Sequence, residues 1–188
     1  MLKFRDLTKD EIDCRVQSVK DGKGLVLLLY KDARVDQNIL DETVGAERWQ
    51  REHYECKGNL FCRVGIYVPM FEEPEDEPMY NIPEWQWIWK ADCGTESNTE
   101  AQKGEASDSF KRACFNWGIG RELYTAPFIW IPADKCEIKN GKCYDKFEVE
   151  KIVIENKTIT AISILNTSIK SDKIKDKRAF VWQLPKGE

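Results

Sequence analysis

Hydrophobic and polar positions alternate with two different periods along this chain. Thr8-x-x-Glu11 has the form of a capping box and predicts a short first helix near 9–17. Gly22 and Gly24 break it, and Gly24–Tyr30 is expected as a buried strand. Val35, Ile39, Leu40 and Val44 share one helical stripe, which predicts a helix over 36–44 with Gly45 as its left-handed cap. From Trp49 the period becomes two. In 60–68, Cys62, Val64, Ile66 and Val68 point one way, and Arg63, Gly65 and Tyr67 the other. Residues 84–93 form a further strand, with Trp85, Trp87 and Trp89 opposite Gln86, Ile88 and Lys90.

The clearest helix spans about 100–117. Ala106, Phe110, Ala113 and Trp117 follow 4-3-4 spacing on its inward face, and Gly118 and Gly120 end it. Beyond Pro132, residues 146–154 and 158–165 are β-branched runs around Glu155-Asn-Lys, a hairpin pattern. A short last strand is expected near 179–184. The predicted class is α+β: an antiparallel β-sheet with a long helix packed across it, plus a C-terminal β-hairpin appendage. Residues 1–131 would form the core, and 132–188 an appendage of the same domain.

Composition narrows the function classes. The chain has 188 residues, 41% apolar and 33% charged, a globular balance. Its longest apolar run, 25–30, is far below the roughly 20 residues a membrane span needs, and the N-terminus carries no apolar signal segment. No membrane partner is therefore expected. With seven cysteines, no Cys-x-x-Cys pair and one histidine, a zinc site of ordinary spacing is hard to assemble. Cys136 and Cys143 flank Asn140-Gly141 and are expected as reduced thiols across a turn. The net charge of −4 argues against a nucleic-acid ligand, but the five negative charges of 72–77 more than account for it. The remainder is near neutral and can carry a local basic groove.

Candidate chemistry concentrates on the long helix. Lys103, Ser107 and Lys111 recur at four-residue intervals, with Arg112 one step round. A row of cations on a rigid element suits a phosphate backbone, because each displaces condensed counterions. It is also what a solvated helix face looks like. Arg34, preceded by Lys31, opens the earlier helix against the macrodipole, which invites an anion there. The three tryptophans either stack unpaired bases or, as expected here, form the sheet face beneath the long helix against Phe110 and Trp117, leaving Tyr67 and Lys90 on the accessible side. No Walker sequence and no Gly-x-Ser-x-Gly elbow occurs, so neither ATP use nor covalent catalysis is expected, and no catalytic residue, metal or cofactor is assigned. Asp92, Glu96 and Glu100 with Lys103 would be the core of the enzymatic alternative, a small metal-dependent nuclease. A protein-interaction module is the third alternative.

The segment Asp108-Ser-Phe-Lys-Arg-Ala-Cys-Phe-Asn-Trp-Gly-Ile-Gly120 resembles the single-strand annealing proteins of the Rad52 type, especially their short phage and prophage branch. Arg15-Val-Gln17, residues 40–50, Lys90-Ala-Asp-Cys-Gly94 and Gly120-Arg-Glu-Leu-Tyr124 follow in the family's order across about 12–131, and beyond Pro132 the match to the family's eukaryotic core lapses. The resemblance implies ATP-independent binding and annealing of single-stranded DNA in recombination and repair, by a homo-oligomeric ring or helical filament. It implies Lys111 and Arg112 as backbone contacts, supported by Lys103 and Arg34. Lys31, Lys90 and Tyr67 complete the expected DNA-binding set. The loop 94–99 lacks the family's further basic residues, which weighs against a second DNA site. The expected setting is the cytoplasm of a bacterial host, with a single-strand-binding protein or an exonuclease as possible partners.

Overall fold

The computed structural model describes residues 2–20, 22–70, 84–95, 101–169 and 176–185. Its elements are β1 (Asp13–Lys20), β2 (Gly24–Tyr30), α1 (Ala33–Val44), β3 (Trp49–Cys56), β4 (Asn59–Met70), β5 (Glu84–Cys93), α2 (Ala101–Trp117), β6 (Ile129–Pro132), β7 (Ile138–Lys139), β8 (Lys142–Cys143), β9 (Phe147–Glu155), β10 (Thr158–Asn166) and β11 (Arg178–Gln183). The class is α+β with antiparallel sheets, as the sequence pattern predicts. Among the described residues no helix is long and apolar enough to cross a membrane.

The chain forms two compact units: Met1–Arg5 with Ala33–Ile119, and Asp6–Asp32 with Gly120–Glu188. The boundary expected between 131 and 132 therefore falls inside β6. The N-terminal β1 and β2 share a sheet with the C-terminal strands, because β1 pairs with both β2 and β9.

The second unit is built on that sheet, in the order β11-β10-β9-β1-β2-β6. Leu25, Leu27, Ile129, Ile131, Ile159 and Ile164 are buried in it. The predicted capping box is present: Glu11 accepts hydrogen bonds from the Thr8 N–H and Oγ1 at 2.8 and 3.1 Å. It caps only one 3-10 turn, Lys9–Glu11. The expected helix over 9–17 is not formed. Ile12 is extended, and 13–20 enter β1, where the ladder with the buried apolar strand β2 takes up backbone groups that a helix would have paired locally. Asn156 and Lys157, both at positive φ, close the β9–β10 hairpin. Asn140 and Gly141 close β7–β8 in the same way. Cys136 and Cys143 come within hydrogen-bonding range of each other beside that turn, and both are free thiols.

The first unit sets a three-stranded sheet, β3-β4-β5, against two helices. Cys62, Val64 and Ile66 of β4 are fully buried, as are Phe110, Ala113 and Cys114 of α2 and Ile39 and Leu40 of α1. α2 packs on β4 and β5, and α1 packs on α2.

Candidate nucleic-acid interface

α2 is held at fixed height over its sheet by contacts at both ends. Leu60 donates its N–H to Glu105 at 3.0 Å, and Thr95 donates its N–H and hydroxyl to Asp108 at 3.1 and 3.0 Å. Gly94 allows this approach: a Cβ there would stand 2.3 Å from the Glu105 carbonyl oxygen. In the middle, Phe110 stacks on Trp49 with centroids 6.2 Å apart, and the Arg51 guanidinium covers Phe110 at 4.7 Å. At the C-terminal end the Trp117 indole donates to the Val64 carbonyl at 3.0 Å. Gly118, at φ +94°, then turns the chain out of the helix.

This platform carries Lys103, exposed near the helix start, and Lys111 and Arg112, both half-buried. The last two leave the helix about 100° apart. Arg112 is turned toward β5, where its Nε lies 3.3 Å from Asp92 Oδ1. Asn116 donates to the Ala91 carbonyl at 3.0 Å and reaches the other Asp92 oxygen at 3.4 Å. Lys90 lies on the α2 side of the sheet. Its ammonium donates to the Asn116 carbonyl at 2.9 Å and sits 4.6 Å from the Trp117 ring centroid. A cation on a last-turn carbonyl stabilises a helix C-terminus, so Lys90 holds the platform's end as well as adding positive charge to it. Arg34 is exposed in the first turn of α1, in the same unit.

Two expected DNA contacts do not join this group. Lys31 is 1% exposed and lies in the other unit, so it offers no surface to a phosphate. Tyr67 is on the sheet face turned away from α2, packed between Trp85 and Trp87.

The tryptophans are also placed differently from the sequence expectation. Gly65 pairs with Trp89, Tyr67 with Trp87 and Val64 with Lys90. Directly opposed residues of an antiparallel pair point to the same face. Trp85, Trp87 and Trp89 must therefore share the face of Tyr67, while Lys90 shares the buried face of Val64. Phe110 and Trp117 meet Trp49 and Val64, not the β5 tryptophans. The signal was already in the sequence: Gly65, the one position in this run without a side chain, matches the bulk of Trp89 across the pair.

On that second face Trp85, Tyr67, Trp87 and Trp89 form a continuous column, with successive centroids 5.3, 5.2 and 5.9 Å apart. Arg48 lies over Trp85 at 5.0 Å and Arg63 over Trp89 at 4.5 Å.

The family model described as Rad52/22 family double-strand break repair protein matches residues 75–152. Over that stretch the chain is similar to the Rad52/22 family. The matched residues include α2 with Lys103, Lys111 and Arg112. They run past Pro132 into β9, and they begin after Arg15–Gln17 and residues 40–50. No curated protein and no solved structure matches the chain significantly.

Of the carboxylates considered for a nuclease, Asp92 is held by Arg112 and Asn116, while Glu96 and Glu100 lie outside the described residues. Among the described residues no three His, Cys, Asp or Glu side chains gather as a metal site would require.

Proposed function

We propose that this protein binds single-stranded DNA along the cationic flank of α2 and anneals complementary strands without nucleotide hydrolysis, in recombination or repair of phage or prophage origin. The observation that carries the reading is the family match across the one helix that bears Lys103, Lys111 and Arg112. The helix is braced by a sheet on one side, so its cations are presented on a rigid element. Contacts to sugar-phosphate oxygens fix a strand without reading its sequence, which is what annealing requires. Each site is weak on its own. A ring or filament of copies would multiply such sites along one strand.

The test mixes labelled complementary oligonucleotides with the protein in the absence of ATP and follows pairing, alongside the double variant Lys111→Ala with Arg112→Ala. Accelerated pairing by the wild type is expected. The double variant is expected to lose at least about tenfold in affinity and to flatten the dependence of binding on salt, as the loss of two phosphate contacts requires. Unchanged affinity in that variant at physiological salt overturns the reading. Shortening of the oligonucleotides on addition of magnesium would replace it with the nuclease alternative.

A further inference from the structure

The β7–β8 hairpin of the second unit brings together two cysteines that the annealing reading does not use. Its ladder is only two pairs long, Ile138 with Cys143 and Lys139 with Lys142. Cys136 stands just outside that ladder, yet the peptide groups on both sides of it are pinned. The Glu137 N–H donates to Asp145 Oδ2 at 2.7 Å, and the Lys135 carbonyl accepts from Asn166 Nδ2 at 3.0 Å. Asn166 is fully buried and also donates to the same Asp145 oxygen at 2.8 Å, so one clamp gathers both arms of the hairpin. Held in this way, the Cys136 and Cys143 thiols are hydrogen-bonded to each other. Each is only half-buried, so a small solute can reach them.

The two thiols are not equivalent. Burial is the first cause that raises either one, and the Asp145 carboxylate adds to it in both. Cys143 has two groups on the other side of the balance: the Asp145 N–H and the Cys136 thiol both hydrogen-bond its sulfur and favour the thiolate. Cys136 has no such help, because the neighbouring Cys143 raises it further. Cys143 is therefore the first to deprotonate, and the thiolate is the attacking species. We propose that Cys136 and Cys143 form a site of reversible oxidation, closed to a disulfide by exchange with a low-molecular-weight disulfide of the glutathione class. The Cys143 thiolate attacks one sulfur of the small disulfide, forms a mixed disulfide and expels one small thiolate, which takes up a proton. Cys136 then gives up its proton and attacks the Cys143 sulfur, forming the internal bond and expelling the second small thiol. The protein loses two hydrogens, and one small disulfide is reduced to two thiols. Capping Cys143 removes its charge from beside Cys136, so the first step eases the second. Excess small thiol drives the same steps backwards. Closure adds a covalent tie to a hairpin otherwise held by two strand pairs and the Asp145–Asn166 clamp. It lies in the other unit from α2 and does not depend on the annealing reading.

The test incubates the full chain at pH 8 with excess oxidised glutathione, traps free thiols with N-ethylmaleimide, and maps unreduced peptides by mass spectrometry. Cleavage after Lys135, Lys139, Lys142 and Lys146 puts the two cysteines on separate peptides, 136–139 and 143–146. These are expected to be found joined, two hydrogens lighter than their sum, and to part on addition of dithiothreitol. Exposed Cys56 is the control: it is expected to take up glutathione and go no further. Cys136→Ser is expected to stop at glutathione on Cys143. In concentrated urea the ratio of joined to glutathione-bearing peptide is expected to fall about tenfold or more, because the clamp, and not the short spacing alone, holds the sulfurs together. Four results each overturn the proposal: glutathione on Cys143 of the wild type without joining, joining mainly to a third cysteine, no change at either thiol while Cys56 reacts, or an unchanged ratio in urea. Lys111→Ala with Arg112→Ala is expected to close the disulfide as the wild type does, so failure of this site and failure of the annealing reading are separate results.

Discussion

Arg112 lies 3.3 Å from Asp92, so one cation of the Lys-Arg pair is already held by a carboxylate of the strand beneath it. The two side chains are 39% and 28% exposed, and a pair so open to water is worth only about 0.2–1 kcal/mol. A passing phosphate can therefore compete for the guanidinium. Asp92→Asn is expected to raise the affinity for a labelled single strand by about 1.5- to 5-fold, the same energy expressed as a ratio. Fluorescence anisotropy at low and physiological salt measures it. Asp134→Asn, an exposed carboxylate of the other unit, serves as the control for net charge. Equal gains in the two variants would show that Arg112 is not a phosphate contact.

Two glycines of the first unit have different work and should fail differently. At Gly94 the obstacle to a side chain is backbone, the Glu105 carbonyl oxygen at 2.3 Å and the Ser109 nitrogen at 3.0 Å. Gly94→Ala must push α2 off the sheet. At Gly65 the obstacle is the Trp89 ring at 2.8 Å, a side chain on an open face that can swing away. Overpacking of the latter kind costs about 1–3 kcal/mol. Gly65→Ala is expected to fall in that range and to change tryptophan fluorescence. Gly94→Ala is expected to cost more and to lower DNA affinity with it. Urea midpoints followed by circular dichroism rank the two, and the reverse order would mean that α2 adjusts more easily than the column.

Much of this architecture was legible in the sequence, since the strand over 84–93 and the helix ending at Trp117 follow directly from apolar spacing. What was missed has a common physical cause. Local spacing says which residues share a face but not which face meets the helix. That choice depends on a partner strand's register, and the Gly65–Trp89 pair settles it here. The capping box at Thr8 is likewise real, yet a long-range ladder took the residues after it. Lys31 looked like a surface cation because nothing local announces that its side chain is enclosed. In Gly120-Arg-Glu-Leu-Tyr124, the buried Glu122 accepts the Leu7 N–H at 2.7 Å, a structural anchor that sequence alone does not distinguish from a binding residue.

Glu150 on β9 joins three strands, accepting Arg178 Nε of β11 at 2.7 Å and the Ser163 hydroxyl of β10 at 2.9 Å. The Arg178 hydrogen bond, then that of Ser163, lowers the carboxyl from its ordinary 4.5 to about 2. A depressed carboxyl stabilises the fold above its unfolded pKa and ceases to do so as the pH falls through the folded value. The contribution is thus complete at neutral pH and fades from about pH 4.5 down to about pH 2. Glu150→Gln should lower the melting temperature at pH 7 and narrow the gap to wild type across that acid window. A gap that stays constant from pH 7 to pH 2 would show that the carboxylate's charge contributes nothing.

The seven cysteines are all free, yet few are available to a reagent. Burial, followed by the charges of Asp13 and Glu148, pushes the Cys14 thiol to about 12. Burial likewise outweighs Arg51 at Cys62 and brings it to about 11, and Cys136 reaches about 11 by burial and the neighbouring Cys143. Since the thiolate is the nucleophile, these three are almost wholly protonated, hence slow, at pH 8. Cys56 is the exposed one, on β3. Brief iodoacetamide treatment at pH 8 followed by peptide mass spectrometry should find label on Cys56 first. Cys136 should gain label as the pH is raised toward 11 and Cys14 only nearer 12, while Cys62 waits for unfolding because it is buried as well as protonated. Cys56→Ser should then remove the earliest label and leave the half-buried Cys93 and Cys143 as the next sites. Rapid labelling of Cys62 at pH 8 would mean that β4 opens on the timescale of the reaction.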